Sequence, residues 1–205
     1  MPFEDEAQIV QLSGWNAAWE AEFETLAQHL RGALGDAAVA IQHVGSTAVP
    51  GLSAKDVIDV QVLVRDLDDP RIGYAFQSLG FRKRPEPRNQ ADSIADISFP
   101  KAVYAPPPGA RAANVHVRPE TSDAARYALL FRDYLRADPQ ARATWAHLKA
   151  HIASAVTGLA PYGQIKAAAL PLLMRVAERW AAETDWIPLR TADGIRTRQR
   201  MRPAK

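Results

Sequence analysis

Residues 41–64 read IQHVGSTAVPGLSAKDVIDVQVLV, a strand, a tight loop carrying Gly45, Ser46, Pro50 and Gly51, and a second strand that alternates strictly. Side chains alternate across a strand with period two, so Ile58, Val60, Val62 and Val64 share one face while Val57, Asp59, Gln61 and Leu63 share the other. An acid and an amide in a strongly β-branched strand are costly between two packed apolar layers. The expected architecture therefore has helices on one sheet face and a polar cleft on the other. In such a cleft a short Gly-Ser loop can hold phosphate through backbone N–H groups, while a nearby carboxylate holds a divalent cation. The loop lacks the spacing of a P-loop.

Two later segments repeat the design. Ala95, Ile97 and Phe99 alternate with Asp96 and Ser98, and Ala113, Val115 and Val117 alternate with Asn114, His116 and Arg118. If the three strands are neighbours in one sheet, their polar groups converge. Alternation does not establish that adjacency.

Helical periodicity accounts for the rest. Trp15, Trp19, Phe23, Leu26, Leu30 and Leu34 recur at three- and four-residue steps, predicting an amphipathic helix that buries both tryptophans and ends at Gly35. Asp69-Pro70 and Asp138-Pro139 read as an N-cap followed by proline at the first helical position, and Thr121 or Ser122 as a third cap. A short strand is expected near Phe81 and Arg82, and loops at residues 84–92 and 106–109. A last helix after Pro161 has Ile165, Ala169, Leu172, Val176 and Trp180 as its stripe. Pro171 within it predicts a kink or break.

Composition sets limits. The chain has 205 residues, 47% hydrophobic and 23% charged, the make-up of an ordinary globular domain. Cysteine is absent, which excludes disulfides, thiolate zinc sites and a cysteine nucleophile. The formal charge is +2, but residues 190–205 carry five Arg, one Lys and one Asp, a net +5, so the remainder stands at −3. We therefore expect one domain over residues 1–189 and a basic, flexible tail from 190, with nucleic acid contacted only through that tail. The first residues lack signal-peptide order, and no apolar run is long enough to span a membrane. A cytoplasmic location without membrane contact is the expectation.

HVGSTAVPGL followed by AKDVIDVQVLV, LLFRDYLRADP, and Tyr162-x-x-x-Lys166 resemble the GrpB family, a branch of the nucleotidyltransferase superfamily, over roughly Trp15 to Trp180. The resemblance implies an α/β (α+β) fold with a nucleotidyltransferase-like mixed sheet, an open polar cleft and C-terminal helices. It implies binding of a nucleoside triphosphate or related phosphorylated small molecule, with Mg²⁺ or Mn²⁺, and metal-dependent nucleotidyl transfer. The alternative is a catalytically inactive nucleotide- or partner-binding module linked to coenzyme A metabolism, since the family also occurs fused to dephospho-CoA kinase. Gly45 and Ser46 match the superfamily turn and Asp59 its first acid. Gln61 stands at the second acid, where an amide is a weaker ligand than a carboxylate. His116 stands where active relatives carry a third acid.

Asp59, His116 and Lys166 are candidates for chemistry, and Asp59, Gln61, His116 and Asp96 for metal. Gly45, Ser46, Lys55, Arg132 and Tyr162 are candidates for the nucleotide. Against these, Asp59 could be half of a salt bridge with Arg118 or Lys166, and Asp96 could pair with Arg82 or Arg118. His116 could be a structural imidazole, Lys55 a solvated loop residue, and Arg132 a residue of a solvated helix face.

Overall fold

Strand β1 (Ala38–Val44) and strand β2 (Ile58–Val64) pair antiparallel, with Gln42 opposite Gln61 and His43 opposite Val60. On its other side β2 pairs in parallel with β7 (Ala113–Pro119), placing Asp59 beside Asn114 and Gln61 beside His116. That juxtaposition lies beyond the reach of alternation, because it joins segments some fifty-five residues apart in the chain. Among residues 3, 9–86, 89–94 and 97–188, which the computed structural model describes, the main sheet completes as β1-β2-β7-β6-β3. Here β3 is Arg82–Lys83 and β6 is Ala102–Ala105. The result is a mixed sheet with helices against its apolar face, the expected fold class.

That apolar face is covered by α1 (Ala18–Leu34) and α2 (Pro70–Ser78). Trp19, Phe23, Ala27, Leu30 and Leu34 point inward from α1 onto Ile41, Ile58, Val60, Val62 and Val64. Asp69 caps α2 by accepting from the Arg71 N–H, and Phe76 stacks on Tyr104. The expectation for Trp15 is corrected: α1 starts three residues later, where Asn16 accepts from the Ala18 N–H, and Trp15 is 37% exposed. A periodic stripe extends past the cap when the residue before it happens to share its phase.

Three helices follow on the polar side: α3 (Asp123–Ala137), α4 (Pro139–Ala155) and α5 (Leu159–Glu183). Ala125 of α3 rests on Ala40 and Leu63, closing that side of the sheet away from the loop. Asp138 caps α4 through the Gln140 and Ala141 N–H groups, whereas the Ser122 hydroxyl makes no capping bond to α3. Val49 and Leu52, both fully buried, plug into a second core built from Leu130, Tyr134, Leu135, Trp145 and Met174. The Gly-Ser loop is thus clamped between the sheet and the helices.

Two expectations for α5 are corrected. The helix runs unbroken through Pro171, which lies on the exposed side beside an exposed Ala167, the residue whose carbonyl it leaves without a donor. Its buried residues are Tyr162, Met174, Ala177 and Ala181, while Ile165, Leu172 and Val176 are 45%, 69% and 52% exposed. Ala177 and Ala181 share the inner face with Tyr162 and Met174, and Ile165, Leu172 and Val176 turn outward.

The middle strand expectation is also corrected. β5 (Ile97–Pro100) pairs with β4 (Ala91–Ile94) in a separate two-stranded sheet, and Ile97 is 60% exposed. Residues 91 and 92, expected in a loop, start β4. The place in the main sheet belongs to β6, whose four residues are all buried and show no alternation. Asp96 and the basic tail lie outside the described residues. No helix among the described residues is long and apolar enough to cross a membrane.

Candidate functional site

Where β1 ends, Gly45 turns the chain with a φ of +71°, a conformation that favours glycine, and a Cβ there would collide with the Asp59 carboxylate. The turn therefore requires glycine twice over. Ser46 follows with its hydroxyl facing Lys149, whose Nζ donates to Ser46 Oγ at 3.1 Å and to the Ser53 carbonyl. Lys149 is 2% exposed. One amine from α4 thereby ties together both ends of the loop.

Asp59 stands beneath this turn with its side chain 33% exposed. Its Oδ1 accepts from Asn114 Nδ2 at 3.1 Å and lies 3.8 Å from His116 Nε2. Asn114 is oriented by Arg84, which donates to its carbonyl at 3.2 Å. Burial would raise the Asp59 carboxyl, but the His116 ring, the Asn114 amide and the charge of Lys166 outweigh it and hold it at about 2. Asp59 is therefore ionised at neutral pH. Burial lowers His116 against the pull of Asp59, and its buried Nδ1 has no partner among the described residues.

Cations surround this one acid. Lys149 is pushed down to about 7 by burial and then by the charge of Lys166. Burial likewise lowers Lys166, partly offset by Asp59, with Lys55 adding repulsion. The Lys166 ammonium lies 5.7 Å from the centre of the Tyr162 ring. Amines crowded this way are relieved by an incoming anion.

Gln61 is fully buried: its amide nitrogen donates to Gln42 Oε1 at 3.1 Å and to the Ala125 carbonyl at 3.3 Å, and its oxygen accepts from Arg118. It is withdrawn as a metal candidate, since its oxygen is engaged and α3 covers it. Arg118 binds Asp92 at 2.8 Å, which removes the suggested Asp59–Arg118 bridge. Arg132 donates to the His43 carbonyl and to Asp133, bracing the end of β1 rather than facing the cleft. Tyr162 is 3% exposed and packs under Lys166 rather than offering a stacking surface.

Lys149 was not singled out from the sequence. The signal was present, because residues 145, 149 and 152 form the buried side of α4 as Trp, Lys and Ile. A lysine on a buried stripe needs acceptors.

Among the described residues no group of three or more His, Cys, Asp or Glu side chains could hold an ion, so these residues do not make a two-metal centre. Asp59 Oδ2, at the Gly45 turn, has no hydrogen-bond partner among the described residues. A single Mg²⁺ or Mn²⁺ held by one carboxylate together with a ligand's phosphates does fit such a donor set.

Comparison with known proteins agrees with the fold. A UPF0157 protein of Pseudomonas aeruginosa is 40% identical over 135 residues, covering 64% of this chain and 52% of that protein. A protein of Mycolicibacterium paratuberculosis named dephospho-CoA kinase is 31% identical over 188 residues, covering 83% of this chain and 46% of its own length. The chain thus spans about half the length of these two relatives. The crystal structure of the conserved protein GrpB from Enterococcus faecalis superposes with a TM-score of 0.69 at 25% identity, covering 83% of this chain and 99% of that one. Residues 9–175 match the family described as GrpB protein, and the chain belongs to that family.

Proposed function

We propose that this chain binds the phosphates of a nucleoside triphosphate, or of a related phosphorylated small molecule, in the cleft between the Gly45-Ser46 turn and α4–α5. The observation that carries this reading is the gathering of Lys149 and Lys166 on Ser46 and Asp59, an arrangement with more positive charge than its single carboxylate balances. In this reading Ser46 and the turn's N–H groups orient phosphate oxygens, while Lys149, Lys166 and Lys55 offset their charge. Asp59 Oδ2 is the residue atom that would hold a divalent cation, which when bound supplies further positive charge to the phosphates. His116 and Asn114 keep the carboxylate ionised and aimed.

Binding is favoured over nucleotidyl transfer because the second superfamily acid is replaced by a buried, hydrogen-bonded Gln61. The relatives named dephospho-CoA kinase make dephospho-coenzyme A a sensible member of any ligand panel. Calorimetry with ATP, CTP, UTP and dephospho-coenzyme A, each in EDTA and in Mg²⁺ or Mn²⁺, tests the reading. At least one ligand is expected to bind and raise the melting temperature. No binding across the panel would overturn it.

Asp59→Asn separates the cation from the lysines. The variant is expected to keep metal-free binding while losing the increment that Mg²⁺ adds. The stability of wild type, and not that of the variant, should also carry an acid response from this site, because a carboxyl held at about 2 when folded, against 3.8 unfolded, stabilises above the unfolded value and loses that contribution as pH falls through both. Wild type and variant should differ at neutral pH and converge near pH 2. An intact Mg²⁺ increment in Asp59→Asn would remove the metal role.

A further inference from the structure

Behind the Gly-Ser loop lies a second cavity of about 320 Å³, lined by Trp15, Glu20, His43, Pro50, Arg136 and Arg142 among others. It does not share a face with Asp59. His43 stands opposite Val60 and stacks on Phe23 of α1, whereas Asp59 projects from the other side of the sheet. The loop is the wall between the two, with the Ser46 hydroxyl turned to Lys149 while Thr47, Ala48 and Pro50 line this cavity.

The lining has three different chemistries. Trp15 is an indole outside the core, 37% exposed. Arg136 spends Nε on the Ala48 carbonyl at 2.8 Å and sets Nη1 4.0 Å from Asp133. Arg142 spends Nη1 on the Leu135 and Arg136 carbonyls. Among the described residues neither arginine's Nη2 has a hydrogen-bond partner, and the Glu20 carboxylate accepts no hydrogen bond although its charge favours that of Arg136. His43 donates or accepts at Thr47 and is neutral, since burial brings it to about 3. An aromatic face, two guanidinium forks and one acceptor carboxylate therefore surround a space of small-ligand size.

We infer that this cavity is a second binding site, for a mononucleotide or a molecule built likewise from a planar ring, a sugar and a phosphate. The ring would stack on Trp15, the phosphate would take the free arginine N–H groups, and Glu20 would accept from sugar hydroxyls. Burial and the neighbouring Arg132 disfavour the charge on Arg136 by more than Asp133 and Glu20 favour it, and a bound anion relieves the remaining cost. This inference stands apart from the reading of the Asp59 cleft.

The test is calorimetry with AMP, adenosine and inorganic phosphate on wild type and on Trp15→Ala, Trp15→Phe, Pro50→Glu and Lys149→Met. Pro50 is exposed at the rim, so a glutamate there repels an anion without entering the core. AMP should bind wild type, weaken by at least about tenfold in Trp15→Ala as expected for a lost base–aromatic stack, and recover in Trp15→Phe. Pro50→Glu should weaken AMP and phosphate but spare adenosine. Lys149→Met should leave AMP bound at this site, even where it removes triphosphate binding from the cleft. The inference is overturned if AMP does not bind wild type at millimolar concentration, if binding is indifferent to both Trp15→Ala and Pro50→Glu, or if only Lys149→Met removes it.

Discussion

Lys149→Met is expected to cost nucleotide binding about 2–5 kcal/mol, roughly thirtyfold to several thousandfold in affinity, with or without a divalent cation. The size follows from where the amine sits: 2% exposed, on the Ser46 hydroxyl and the Ser53 carbonyl, so that a phosphate on the turn meets a desolvated charge. The same burial predicts a pH effect of definite sign. Folding moves this lysine from 10.5 to about 7, so between those values the unfolded chain binds a proton that the folded chain does not. Folded stability therefore rises as pH increases through that window, and below it the full cost of burying an ammonium is present. Lys149→Met escapes that cost and should match or exceed wild type in urea melts at about pH 6, with the advantage shrinking towards about pH 10. Ligand affinity runs the other way, because phosphate needs the ammonium and should bind more weakly as pH rises above about 7. Equal affinity at about pH 6 and 9, unchanged by the substitution, would place the phosphate elsewhere.

Trp19→Ala is expected to destabilise the fold by about 3–5 kcal/mol. Trp19 is 1% exposed at the start of α1, and its Nε1 donates at 2.7 Å to Asp56, which also holds Arg111. The substitution opens a cavity against the sheet and leaves Asp56 with one donor fewer. Trp15→Ala, four residues earlier and outside the core, should change stability by less than about 1 kcal/mol. Urea unfolding of the two variants side by side checks this, and similar midpoints would mean that the indoles play equivalent parts.

The two tryptophans illustrate what periodicity can and cannot carry. Local geometry alone placed β1, β2 and β7, the Asp69-Pro70 and Asp138-Pro139 helix starts, and the inner face of α1, because alternation and capping are satisfied by residues near one another in the chain. It carried Trp15 one turn too far. It also misread part of α5, where three of the five expected stripe residues, Ile165, Leu172 and Val176, are exposed while Ala169 and Trp180 pack on the core, because apolar residues surround the helix and only packing against α3 selects among them. β6 escaped notice because a strand buried on both faces leaves no alternation to read.

The candidate site divides along the same line. Gly45, Ser46 and Asp59 were legible in the sequence, since a glycine turn followed by an acid in a β-branched strand is a local signal and matches a family pattern. Tertiary structure alone decided that β2 and β7 are neighbours, that Gln61 is sealed under α3, and that Arg118 belongs to Asp92. It alone brought Lys149 across 103 residues to Ser46. The reason is physical: a strand's faces follow from its own covalent geometry, but which groups meet across a cleft depends on how separate elements bury their apolar sides, and that is settled only when the whole chain packs.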